Sequence, residues 1–82
     1  MTVVPVNSHE VVQVARARRL AVTGEARSRR LAAQISLQEV ADAVGCTAAA
    51  VWRWEKGDRA PRGEPAVRYA ALLDALARAG AR

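Results

Sequence analysis

The chain has 82 residues and a mass of 8.8 kDa, room for one small domain with a single hydrophobic core. Thirteen basic residues against eight acidic ones give a formal charge of +5, and every basic residue except Lys56 is arginine. The single Cys46 excludes an intramolecular disulfide and an all-cysteine metal site, His9 cannot complete a zinc set with it, and no apolar run approaches the ~18 residues of a membrane span.

No charged start followed by an apolar stretch resembles a signal peptide, so a cytoplasmic protein is expected, nucleoid-associated when bound to DNA. Alanine occurs 19 times and phenylalanine never, which favours helix. The excess positive charge points to an anionic partner, usually nucleic acid.

Residues 1–7 read as extended, because three valines and Pro5 disfavour helix. Asn7 or Ser8 caps a helix from His9 to about Val22, with Val11, Val14, Ala17, Leu20 and Ala21 along one apolar stripe. Gly24 either ends this helix or weakens a continuous one. A second helix spans Glu25 to about Gln34. Ser36-Leu37-Gln38-Glu39 is a capping box that starts a third, with Val40, Ala41 and Val44 at helical spacing and Gly45 as its stop. Thr47 caps a fourth, from Ala48 to about Lys56, closed by Gly57. After the loop at 58–63, Pro65 fits the first turn of a last helix that runs to Ala79, with Tyr69, Leu72, Leu73 and Leu76 on its buried face.

Two short helices joined by a turn of about three residues have the spacing of a helix-turn-helix. Val40, Val44, Val51 and Trp54 are placed to form one small core between them. Residues 35–61, ISLQEVADAVGCTAAAVWRWEKGDRAP, resemble the lambda-repressor-like, Cro-type helix-turn-helix family. The resemblance rests on Ser36, Glu39-Val40-Ala41, Gly45, Thr47, Val51, Trp54, Glu55 and Gly57, and with the flanking helices it covers about residues 25–79. It implies an all-α fold of about five helices, with residues 1–24 an N-terminal extension carrying an extra helix. It also implies binding to double-stranded DNA, as a homodimer at least on DNA, by a small transcriptional regulator of repressor type. A buried ion pair between Arg30 and Glu55 is implied in the same way.

Helical geometry puts Ala50, Val51, Trp54 and Glu55 on one face of the fourth helix and Ala48, Ala49, Trp52, Arg53 and Lys56 on the other. The second face resembles the base-reading face of the family, although Ala48 and Ala49 stand where polar residues are usual. Base contact therefore rests heavily on Arg53, which can bond a guanine bidentately. Trp52 and Trp54 lie about 200° apart, so with Trp54 buried, Trp52 is exposed, lies against DNA, or is covered by the N-terminal helix. Phosphate contacts are expected at Ser36, Leu37, Thr47, Lys56, Arg59 and Arg62.

The extension has three readings: dimerisation through its Val11/Val14/Leu20 stripe, packing over the domain, or auxiliary DNA contact through Arg16, Arg18 and Arg19. Residues 1–34 carry a surplus of +4 (six Arg, two Glu) and residues 35–82 only +1 (seven basic, six acidic), which favours the last. Alternative functions are a recombination directionality or architectural DNA-binding factor, and an antitoxin-like or adaptor module that binds protein. No enzyme is expected, nor a metal, cofactor, membrane or small-molecule substrate: no nucleophile–base pairing and no phosphate-cradling glycine loop is present.

Overall fold

The computed structural model describes residues 7–80; the extended reading of residues 1–6 lies outside them. Five helices follow one another: α1 (Ser8–Val22), α2 (Glu25–Ala32), α3 (Leu37–Val44), α4 (Ala48–Lys56) and α5 (Gly63–Gly80). No strand occurs among the described residues, so the fold is all-α.

Each boundary has a local cause. Asn7, not Ser8, caps α1: its Oδ1 accepts the Glu10 N–H at 2.8 Å. Gly24 takes φ +87°, a conformation a Cβ disfavours, and so ends α1 instead of weakening one long helix. At Ser36 the capping box is reciprocal. Its Oγ accepts the Glu39 N–H at 3.0 Å, and its own N–H donates to Glu39 Oε1 at 2.8 Å. Thr47 Oγ1 accepts the Ala50 N–H at 3.1 Å to start α4. Such caps stabilise by about 1 kcal/mol each.

The second helix is shorter than its sequence pattern predicts, stopping at Ala32. Gln34 adopts φ +59°. Its N–H donates to the Leu31 carbonyl at 3.0 Å, and the Ile35 N–H to the Arg30 carbonyl at 3.3 Å. This bond pair is a Schellman motif, built here on glutamine where glycine is usual. The last helix begins at Gly63, two residues before Pro65, and includes Gly80.

The core has its centre where the two motif helices meet α5. Val40, Ala41 and Val44 of α3, Val51 and Trp54 of α4, and Tyr69, Ala70 and Leu73 of α5 are buried in one cluster. The Trp54 and Tyr69 rings pack with centroids 4.9 Å apart, tilted by 45°, a favoured aromatic geometry. Fully burying each valine stabilises by roughly 1.5–3 kcal/mol. Leu72 and Leu76 are only half-buried at its edge. From α1, Ala17, Leu20 and Ala21 join the same cluster, Val14 is half-buried and Val11 is exposed. Six of the thirteen buried apolar residues are alanine, so the helices meet through small side chains.

Candidate nucleic-acid interface

The burial of Val51 and Trp54 fixes the rotation of α4. The opposite face then presents Ala49, Trp52, Arg53 and Lys56 to solvent, while Ala48 is half-buried against the core. Trp52 is 48% exposed. The Lys56 ammonium lies 4.0 Å from the ring centroid. That cation–π contact joins side chains four residues apart on one helix face.

The rotation is locked from below by an ionic buckle. Arg30 donates from Nε to Glu55 Oε2 at 2.7 Å and from Nη2 to Oε1 at 3.0 Å. Its third contact, Nη1 to the Ile35 carbonyl at 3.1 Å, ties in the α2–α3 turn. The Glu55 side chain is 2% exposed and that of Arg30 is 11% exposed. The hydrogen bonds to Glu55 raise the Arg30 pKa further above its ordinary value, against the opposing effect of burial. Losing either partner would strand a buried charge, so the pair fixes α2 and α4 in register whatever its net contribution to stability.

The rim residues differ in what they have free. At the start of α3, the Ser36 hydroxyl and N–H are both engaged with Glu39, and Leu37 is half-buried against the core. Thr47 is exposed; its oxygen accepts the capping bond, which leaves the hydroxyl hydrogen to donate. Past α4, Lys56 lies 3.3 Å from Asp58 Oδ2. Arg53, Arg59 and Arg62 are exposed, and their side chains make no hydrogen bond or ion pair with the described residues. Arg59 and Arg62 also line a shallow cavity of about 260 Å³ with Cys46, Ala50, Trp54 and Pro65, which places them beside Ala50 and Trp54 of α4. Burial pushes the Cys46 thiol up, away from the reactive thiolate.

Two short capped helices joined by a glycine turn thus carry an exposed helix face, with two arginines of unpaired side chain beside α4. The model of a family described as a helix-turn-helix domain matches residues 21–82. The chain belongs to this helix-turn-helix family. Searches of curated proteins and of solved structures return no significant match.

In this helix-turn-helix protein the abundant arginines are sorted by partner. Arg16 makes a bidentate pair with Asp74, at 2.9 and 2.5 Å. Arg18 Nε donates to the Pro61 carbonyl at 2.8 Å. Arg29 reaches Glu25, Asp74 and the Leu73 carbonyl, and Arg27 approaches Glu55 at 4.0 Å. Of the three arginines expected as auxiliary DNA contacts, only Arg19 has a side chain that makes no bond with the described residues. The excess charge counted along residues 1–34 is therefore largely occupied in holding α1 and α2 to α4, to the loop before α5 and to α5 itself.

Four residues with clear roles in placing this interface carry no functional signal in the sequence. Asp74 anchors Arg16 and Arg29; Pro61 is fully buried and receives Arg18. Asp58 holds Lys56. Arg68 lies under the turn, its Nη1 3.5 Å from the Val44 carbonyl and 2.9 Å from where a Cβ on Gly45 would sit. Arg68 also pairs with Glu64, four residues before it on α5. Among the described residues, no group of His, Cys, Asp and Glu is placed to hold a metal ion, and no helix is long and apolar enough to cross a membrane.

Proposed function

We propose that this protein is a sequence-specific regulator of transcription that binds double-stranded DNA, acting as a small repressor. In this reading α4 enters the major groove and Arg53 bonds a guanine edge, with Ala49 and Trp52 against neighbouring bases. Thr47, Lys56, Arg59 and Arg62 meet phosphates, with the backbone at Ser36 and Leu37, and two copies occupy two half-sites. The observation that carries the reading is the free Arg53 guanidinium in the middle of an exposed helix face whose rotation is locked by Val51, Trp54 and the Arg30–Glu55 buckle.

Selection from random duplexes tests it. A motif with a G·C pair is expected, and Arg53→Ala should lose discrimination at that pair by about 1–3 kcal/mol. Binding that selects no motif and vanishes at ~200 mM salt would leave only non-specific electrostatics and favour an architectural factor. No binding at low salt, with a protein recovered instead, would favour the adaptor or antitoxin-like reading.

A further inference from the structure

We infer that α4 selects a guanine flanked by a pyrimidine carrying a 5-methyl group, and that Trp52, held by Lys56, reads that methyl. The inference rests on the DNA-reading function proposed above.

The argument starts from the hydrogen-bonding inventory of the exposed face. Ala49, Trp52, Arg53 and Lys56 are neighbours at spacings of one, three and four residues. Arg53 and Lys56 offer donors only, the Trp52 indole offers one N–H donor, and Ala49 offers a methyl. The face contains no side-chain acceptor. The flanking acceptors lie off the ends of α4: Thr47 Oγ1, which takes the Ala50 N–H at 3.1 Å, and the Asp58 carboxylate, one oxygen of which lies 3.3 Å from Lys56 Nζ.

A surface of donors and carbon suits only some base edges. Every base pair presents one amino donor in the major groove, from adenine or cytosine, and this face has no side chain to accept it; what the face can match is the acceptors and the methyl of the other base of the pair. Guanine presents two acceptors, matching Arg53. Thymine presents one acceptor and a methyl, matching an N–H on an apolar ring. The Trp52 ring is steadied without being covered. The Lys56 ammonium sits 4.0 Å over it, yet 48% of the residue stays open. In this reading the Trp52 ring, one residue before Arg53 and three after Ala49, lies over the step beside the base that Arg53 meets. Ala49, lacking any longer side chain, leaves room for the methyl.

The test uses the full chain and the duplex obtained by selection. Deoxyuridine replaces each thymine in turn, which removes the methyl and keeps O4 and base pairing. One thymine next to the guanine read by Arg53 should weaken binding about fourfold when demethylated, the factor that burial of one methyl group gives. With cytosine at that position, 5-methylcytosine should restore about the same factor over unmodified cytosine. Trp52→Ala should bring the thymine-to-uracil ratio close to one, and Trp52→Phe should keep most of it. Circular dichroism melts confirm that the variants fold. A ratio of one at every position in the native protein, an unchanged ratio in Trp52→Ala, or a selected motif without thymine beside that guanine would each overturn the inference while DNA reading stands. A chain that selects no motif overturns the proposed function, and this inference with it.

Discussion

The hydroxyl of Tyr69 is buried with no hydrogen-bond partner among the described residues, although the ring packs well on Trp54. An unsatisfied buried hydroxyl costs free energy that its removal returns. Tyr69→Phe should therefore stabilise the fold by about 1 kcal/mol, seen as a higher urea midpoint. Burial, and then the nearby Glu55 carboxylate, raise the Tyr69 pKa well above its ordinary value of 10.0. A folded-state pKa above the unfolded one gives stability that is complete below about pH 10 and is lost as pH rises beyond it. The melting temperature should fall above that pH, less steeply in Tyr69→Phe. Tyr69 is the sole tyrosine, so phenolate absorbance should appear together with unfolding and not before it.

Among the elements, the end of α2 carries the clearest local strain. Gln34 at φ +59° occupies a region where a side chain is disfavoured by about 1 kcal/mol or more. Gln34→Gly should raise stability by about 1 kcal/mol in chemical denaturation, provided the Schellman bonds from Gln34 and Ile35 persist. This site also marks a limit of reading the chain as text. The starts of α3 and α4 were legible because Ser36, Glu39 and Thr47 act within their own first turn, and the stops at Gly45 and Gly57 because glycine names its own backbone. The stop at Ala32 was not, since what holds Gln34 left-handed is tertiary: the Ile35 carbonyl accepts from Arg30 and Ile35 packs on the core. The two faces of α4 followed from Val51 and Trp54 alone. The half-burial of Ala48 did not, because it depends on a neighbouring element.

For the whole molecule the question is which charges remain available. The local composition assigned the surplus to residues 1–34, but pairs such as Arg16–Asp74, separated by 58 residues, and Arg18–Pro61, separated by 43, exist only once the chain is folded. Deleting α1 would remove Ala17, Leu20 and Ala21 from the core, so substitutions are the cleaner probe. If Arg59 and Arg62 meet phosphates, Arg59→Gln and Arg62→Gln should each reduce the slope of log affinity against log salt by about 0.9. Arg16→Gln should leave that slope unchanged and instead lower stability by about 1 kcal/mol, the scale of a partly exposed pair. Titrations at several salt concentrations, paired with melts, separate the two effects.

The tryptophans at positions 52 and 54 have a practical consequence. Two indoles separated by a single residue sit in opposite surroundings, one sealed against Tyr69 and one open to water. The molecule thus contains two optical reporters. Trp54, 5% exposed, should be shielded from aqueous quenchers until the core opens. Trp52, half exposed, should be quenched readily in the free protein and become protected when something covers α4. Collisional quenching of the native chain and of Trp52→Phe separates docking on the recognition face from unfolding of the core, with no label attached.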